Sequence, residues 1–122
     1  VVLRGSSHGP NYDAASVAKA MDTIRAEMPA DSAAAHGLIV DCSHGNSGKD
    51  EHRQAQVVRD IAGRIAKGEQ GITGIMMESF IEGGNQKAAP IDQLVYGKSI
   101  TDPCLGWDDT ERLLYEIADN LD

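Results

Sequence analysis

Several residue types are scarce in this chain of 122 residues, and each scarcity argues against a class of protein. Aromatic residues make up 4% of the sequence, so the core has to be built from aliphatic side chains and methionine. Two cysteines are too few for a disulfide framework, and no apolar run approaches the roughly twenty residues of a membrane-spanning helix. We therefore expect a reducing, cytoplasmic setting and no membrane partner.

Positive charge is scarce as well. Eleven lysines and arginines stand against nineteen aspartates and glutamates, which gives a formal net charge of −8. A surface with this balance and without a basic stripe repels the phosphates of nucleic acids and of anionic lipids. The sequence therefore predicts no nucleic-acid partner.

The length allows one domain with a substantial core. The chain starts at Val1, inside an apolar, β-branched run, and not with a start methionine or a polar leader. We therefore expect the chain to begin in the middle of a longer protein, so that residues 1–122 form a single partial domain. The strands beside such a cut have open edges, which predicts association into a homo-oligomer.

Apolar runs and helical patterns alternate three times along the chain. Strands are predicted at 1–4, 38–42 and 72–77, and each is followed by turn residues. Helices are predicted from the N-cap Asp13 to Pro29, from about Asp50 to the C-cap Gly68, and from 108 to 121. The spacing between the strands leaves room for helical crossovers, so the strands should be parallel.

This order predicts an α/β fold, either an open sheet or part of a closed eight-stranded barrel. The stretch 38–42 shows no polar alternation until Asp41, which predicts a sheet that helices cover on both faces. Nearly thirty residues separate the third strand from the last helix, and segments of this length are usually functional or disordered. The apolar stripe expected on the last helix consists of Leu113, Leu114, Ile117, Ala118 and Leu121.

Side chains that can bind a metal ion or an anion lie at the carboxyl ends of the predicted strands. Arg4, His44 and Glu78 each follow one of the apolar runs, and Asp102 lies in the long segment after the third. In a parallel barrel such side chains converge on one face. A histidine with two carboxylates suits Mn²⁺, Fe²⁺, Zn²⁺ or Co²⁺, and the arginine offers a planar fork for phosphate or carboxylate.

Taken singly, each of these residues also has a structural interpretation. His44 can be a hydrogen-bonded loop histidine, Glu78 can cap a helix, and Asp102 before a proline can form a turn. Arg4 can pair with one of the many carboxylates of the chain. Only the common placement at the strand ends favours a site.

The remaining candidates are weaker. We expect His8, His36 and His52 to be solvated, and Cys42 to be a small core residue rather than a nucleophile. The stretch 45–49 only loosely resembles a phosphate-binding loop. Cys104, two residues after Asp102, is expected either near a metal or in a structural role.

Five motifs follow one another along the chain. They are Leu3-Arg4-Gly5 with Pro10-Asn11-Tyr12, the stretch 41–47 around His44, the stretch 74–79 ending in Glu78-Ser79, Glu82-Gly83-Gly84-Asn85-Gln86, and the stretch 96–107 around Asp102. In this order they closely resemble the carboxyl-terminal part of class I 3-deoxy-D-arabino-heptulosonate 7-phosphate (DAHP) synthases, and the resemblance covers essentially all 122 residues.

The resemblance implies that the chain forms the last three βα units of a (β/α)8 TIM barrel. It implies a metal-dependent condensation of phosphoenolpyruvate with erythrose 4-phosphate, the first step of the shikimate pathway. Arg4 then binds phosphoenolpyruvate, His44, Glu78 and Asp102 bind the divalent metal, and Arg4, His44 and Asp102 are the expected catalytic residues. The family's fourth metal ligand, a cysteine from an early barrel segment, is not among these 122 residues, so we expect the chain alone to be inactive.

Two departures from the family pattern affect the geometry of the long segment rather than any proposed ligand. The chain has Glu82-Gly83-Gly84 where a Val-Glu-Gly run is expected, and Pro103 where small residues are common. Two other functions remain open at this point. One is a noncatalytic barrel fragment that associates with itself, and the other is a related 3-deoxy sugar-acid phosphate synthase.

Overall fold

The computed structural model describes residues 1–33 and 37–121, so the expectation for His36 lies outside the described residues. A short 3₁₀ helix at Ile91–Gln93 interrupts the long segment before the last helix. The other elements, in chain order, are β1 (Val2–Leu3), α1 (Ala14–Glu27), α2 (Ala30–Ala33), β2 (Leu38–Asp41), α3 (His44–Ser47), α4 (Glu51–Ala66), β3 (Ile72–Met76) and α5 (Trp107–Leu121).

The strands form one parallel sheet in the order β1-β2-β3, as the alternation of strands and helices predicts. Val2 lies beside Ile39, which in turn lies beside Gly74. Because all three strands run in the same direction, their carboxyl ends meet at one edge of the sheet. The α/β class is therefore confirmed, and the residues that follow the strands share an edge.

Side-chain caps fix where the two long central helices begin. A carboxylate oxygen of Asp13 accepts the amide of Ser16 at 3.0 Å, and Asp50 accepts the amide of His52 at 2.9 Å. Both caps agree with the sequence prediction. At the other end of α4, Gly68 follows the C-cap Lys67 with φ 96, a left-handed conformation that favours glycine.

The helices cover one face of the sheet, and the prediction of a sheet covered on both faces is wrong for the described residues. Leu38 and Val40 are fully buried in the core, whereas Ile39 between them is 40% exposed. Successive strand residues point to opposite faces, so Ile39 marks the uncovered side. The core that the helices form with the sheet comprises Val17, Met21, Ile24, Leu38, Val40, Cys42, Val57, Val58, Ile61, Leu105 and Leu113.

The last helix, α5, buries a narrower stripe than predicted. Leu113 is buried in the core and Ile117 packs against it, but Leu114 is 48% and Leu121 is 54% exposed. Helix α5 packs mainly on α4, and the side of α5 that carries Leu114 has no cover within the described part of the chain. The helix also begins at Trp107, one residue earlier than its acidic start predicts.

The long segment between β3 and α5 is folded back on itself by backbone hydrogen bonds. The amide of Leu105 donates to the carbonyl of Glu78 at 2.9 Å, and the amides of Gly84 and Cys104 each donate to the other residue's carbonyl. Further along, the amide of Gln86 donates to Ser99. These bonds bring residues 99–105 back to the end of β3. The long segment is therefore folded, and it places Asp102 near the carboxyl end of that strand.

No helix in the described ranges combines the length and the apolar character that crossing a lipid bilayer requires.

Candidate metal centre

His44, Glu78 and Asp102 converge at the carboxyl edge of the sheet. His44 follows β2, Glu78 follows β3, and Asp102 is brought to them by the folded segment. The Nε2 atom of His44 lies 3.3 Å from a carboxylate oxygen of Asp102 and 3.6 Å from one of Glu78. One ligand atom from each residue lies within 4.8 Å of the other two. Three residues that are 34 and 24 positions apart in the sequence thus face a common point.

The ring of His44 is held by Asp41, the last residue of β2. Nδ1 lies 2.7 Å from Oδ2 of Asp41, whose other oxygen accepts the amide of Ser43 at 2.8 Å. Since an ionised carboxylate only accepts hydrogen bonds, Nδ1 carries a proton and Nε2 points to Glu78 and Asp102. His44 stands at the start of the short helix α3 with φ 43, and its contact with Asp41 is the hydrogen bond that the structural interpretation of this residue expects.

One imidazole nitrogen and two carboxylate oxygens this close together form a donor set that a divalent cation can share. Two ligands that each lie about 2.1 Å from one ion are at most about 4.2 Å apart. Both Nε2 distances satisfy this limit, and all three ligand atoms lie within 4.8 Å of one another. The side chains of Glu78 and Asp102 are 33% and 43% exposed, so small side-chain rotations can bring their oxygens to the distance of metal ligands. The donor set and its spacing therefore fit a divalent ion.

Gln54, a fully buried side chain of α4, holds the backbone of Glu78 at both polar atoms. Its carbonyl oxygen accepts the Glu78 amide at 2.9 Å, and its amide group donates to the Glu78 carbonyl at 3.3 Å. A buried glutamine with both ends paired fixes the place where β3 ends. Gln54 therefore positions Glu78 through its main chain.

We expect Gln54→Leu, which keeps the shape but leaves the Glu78 amide without its partner, to lower the free energy of unfolding by about 2 kcal/mol. Mn²⁺ affinity should fall about tenfold, because the partners that orient a ligand affect metal binding. Urea denaturation and Mn²⁺ titration measure the two effects. The matched control is Gln56→Leu at an exposed position of α4, and equal effects of both variants on Mn²⁺ affinity would refute the positioning role.

Asn46 joins the ends of β1 and β2. Its side-chain amide donates to the carbonyls of Leu3 at 3.0 Å and Asp41 at 2.8 Å, and its side-chain oxygen accepts the amide of Asn11 at 2.8 Å. Its own amide donates to the carbonyl of Arg4 at 3.1 Å. The buried Asn46 thereby fixes the position of Leu3, which precedes Arg4, relative to Asp41, which holds His44.

The loop after β1 and helix α3 touch backbone to backbone. A Cβ atom on Gly5 would lie 2.5 Å from the carbonyl carbon of Gly45 and 2.6 Å from the amide nitrogen of Asn46, and Gly5 has φ 73. Only glycine satisfies both the close approach and this conformation. The contact sets the distance between Arg4 and His44.

Arg4 borders an open cleft of about 560 Å³ together with Ser6, Ser7, His44 and Lys49. The expectation that Arg4 could pair with a carboxylate is not met, because no carboxylate lies within 4 Å of its guanidinium among the described residues. Five other arginines do make such pairs, namely Arg25, Arg53, Arg59, Arg64 and Arg112. An unpaired arginine in an acidic protein is available for an anion.

The two cysteines differ in their surroundings, and neither is in a disulfide. Burial, assisted by the nearby charge of Asp41, raises the pKa of the Cys42 thiol to about 12, which confirms a core residue rather than a nucleophile. Burial also raises the pKa of Cys104, whose Sγ donates to the carbonyl of Asp102 at 3.4 Å. Cys104 therefore supports the backbone next to a candidate ligand. His8 and His52 are exposed, as expected.

The sequence interpretation found the convergent residues but missed those that hold them. The sequence marks Asp41 only as the first polar residue of its strand, and it predicts no role for Asn46 or Gln54. One sequence signal could have identified Gln54. It is a polar residue on the apolar face of α4, next to Val57, Val58 and Ile61. A polar side chain at such a position is buried only with partners.

Comparisons with known proteins show which family this chain resembles. The family model described as "DAHP synthetase I family" matches residues 1–115. The Trp-sensitive phospho-2-dehydro-3-deoxyheptonate aldolase of Escherichia coli (strain K12) is 45% identical over 100% of this chain and 33% of its own length. The corresponding aldolase of Corynebacterium glutamicum is 43% identical over 97% of this chain and 32% of its own length.

A solved structure shares the fold. The phospho-2-dehydro-3-deoxyheptonate aldolase of Francisella tularensis SCHU S4 superimposes with a TM-score of 0.87 at 35% identity, over 99% of this chain and 33% of that chain. The chain thus spans about a third of the length of the relatives that it matches. With the family match extending over residues 1–115, the chain belongs to the DAHP synthetase I family.

Proposed function

We propose that residues 1–122 supply the last three βα units of a (β/α)8 barrel in a synthase that condenses phosphoenolpyruvate with erythrose 4-phosphate to DAHP and phosphate. The observation that carries the proposal is the convergence of His44, Glu78 and Asp102 at the carboxyl edge of a parallel sheet, where barrel enzymes have their active sites. The uncovered face around Ile39 fits the interior of such a barrel.

In this proposal His44, Glu78 and Asp102 hold a divalent metal of the Mn²⁺, Fe²⁺, Zn²⁺ or Co²⁺ type. Such an ion polarises a carbonyl oxygen or orients a water molecule when bound. Asp41 keeps the proton on Nδ1 of His44, so that the lone pair of Nε2 remains directed at the ion. Asp102 has the most exposed side chain of the three ligands, at 43%.

In this proposal Arg4 binds the phosphate group of phosphoenolpyruvate. Arg4 is exposed, has no carboxylate partner among the described residues and borders a cleft that His44 also borders. A planar fork can hold two oxygens of one anionic group and so fix the orientation of the enol phosphate relative to the metal site. Arg4, His44 and Asp102 are accordingly the proposed catalytic residues.

The 122 residues alone should not catalyse the condensation. Within residues 1–33 and 37–121 there are three candidate metal ligands and one arginine without a carboxylate partner, which is too few groups for two phosphorylated substrates. The exposed strand residues Val2 and Ile39 should drive homo-oligomer formation, measurable as concentration-dependent sedimentation of the purified chain. The two free thiols fit a cytoplasmic location.

The decisive experiment is a chimaera in which residues 1–122 replace the matching third of the E. coli relative. We expect the chimaera to form DAHP from both substrates when Mn²⁺ is present, and the same chimaera with Asp102→Asn to lose this activity. The purified 122-residue chain, assayed in parallel, should show no turnover. A folded chimaera that binds Mn²⁺ but forms no DAHP would contradict the proposed reaction and favour a noncatalytic fragment or a related sugar-acid synthase.

A further inference from the structure

The cleft beside Arg4 contains an unusual concentration of backbone strain. Among the described residues, the non-glycine residues with positive φ are His44, at φ 43, and Lys49, at φ 60. Both border this cleft, and the amide of Lys49 donates to the carbonyl of His44 at 2.9 Å. Side chains with a Cβ rarely adopt this conformation, and such residues cluster at functional sites.

The turn itself does not require a lysine. Residues 48 and 49 connect α3 to α4, and Gly48 already has φ 61. The amide that closes the turn belongs to the main chain, so glycine at position 49 would make the same hydrogen bond with less strain. The backbone geometry of the turn therefore does not account for the lysine side chain.

The charges of the cleft indicate what the side chain does. Arg4 and Lys49 border the cleft together with main-chain and hydroxyl groups of residues 5–7, and no aspartate or glutamate is among its lining residues. Like Arg4, Lys49 has no carboxylate within 4 Å in the part of the chain that the structure describes. In a chain with a net charge of −8, two cations that border one cleft without carboxylate partners create a local positive potential.

We propose that the ammonium group of Lys49 is a second cation for the phosphate group held by Arg4. The inference rests on the proposed function, because phosphoenolpyruvate is the ligand that brings this phosphate. Arg4 supplies a planar fork, and Lys49 supplies a compact charge on a flexible stem that reaches the same group. Lys49 adopts φ 60 at a position that borders the cleft next to His44.

This assignment makes stability and binding change in opposite directions. Lys49→Gly removes both the charge and the strain, so its urea midpoint should rise while its dissociation constant for phosphoenolpyruvate increases about tenfold. Lys49→Arg keeps the charge and should bind within about twofold of the unchanged protein. The dissociation constants are measured with the purified chain by following the amide resonances of Gly45 and Gly48 during titration.

The matched control is Lys87→Gly, which removes the same charge from an exposed loop position that does not border the cleft. It should leave the dissociation constant within about twofold of the unchanged value. Inorganic phosphate, titrated in parallel, should show the same loss with Lys49→Gly if the phosphate group is the target. Unchanged binding of both ligands by Lys49→Gly, or an equal loss in the Lys87→Gly control, would overturn the assignment.

These outcomes are independent of the chimaera assay. A chimaera that forms no DAHP, together with a loss of phosphate binding in Lys49→Gly, would reject the reaction and keep the anion site. An active chimaera whose KM for phosphoenolpyruvate does not change on Lys49→Gly would keep the reaction and reject the role of Lys49.

Discussion

Replacing His44 by alanine is expected to weaken Mn²⁺ binding by more than about a hundredfold and to reduce the activity of the chimaera by about a thousandfold or more. His44 is the central member of the candidate site, since its Nε2 atom faces both Glu78 and Asp102. Without the imidazole the two carboxylates have no nitrogen ligand between them. Isothermal titration with Mn²⁺ measures the first effect, and phosphoenolpyruvate consumption measures the second.

The matched control for this variant is His52→Ala. His52 lies on α4 with a side chain that is 84% exposed, next to Glu51 at 3.9 Å. We expect neither Mn²⁺ affinity nor activity to change by more than about twofold. If His44→Ala and His52→Ala affected Mn²⁺ binding equally, the metal would not be bound at the edge of the sheet.

The second large effect is expected from Gly5→Ala. The added methyl group would lie 2.5 Å from the main chain of Gly45, and the residue would have to keep φ 73. Because the obstructing atoms belong to the backbone, the loop after β1 has to move away from α3. We expect the free energy of unfolding to fall by about 3 kcal/mol or more, measured by urea denaturation.

The same substitution elsewhere should have the opposite sign. Gly63 lies inside α4, and a Cβ atom there would meet nothing within 4 Å. Gly63→Ala should therefore stabilise the protein by about 0.5–1 kcal/mol, since alanine loses less conformational entropy in a helix. A loss of stability in both variants would show that the close contact between Gly5 and Gly45 is not what determines the result.

The strand order and the helix starts could be predicted because their causes are local. Asp13 and Asp50 stand just before helical patterns and accept amides of the first turn, as their positions indicate. The parallel sheet follows from the spacing of three apolar runs. For the same reason, the carboxyl ends of the strands could be identified as the edge where His44 and Glu78 meet.

The features that could not be predicted depend on contacts between distant residues. The exposure of Ile39 and Leu114 reflects which faces the helices leave uncovered, and an apolar run looks the same whether one face or both faces are packed. The role of Asn46 depends on carbonyls of Leu3 and Asp41 that only the folded chain brings together. The position of Asp102 depends on hydrogen bonds across the long segment.

The measurement that tests the account most directly is an anomalous difference map, collected at the manganese absorption edge from crystals of the protein grown with Mn²⁺. We expect one strong peak about 2 Å from Nε2 of His44 and from oxygens of Glu78 and Asp102. A map without a peak at these three side chains, or with its main peak elsewhere on the protein, would contradict the metal centre and with it the proposed function.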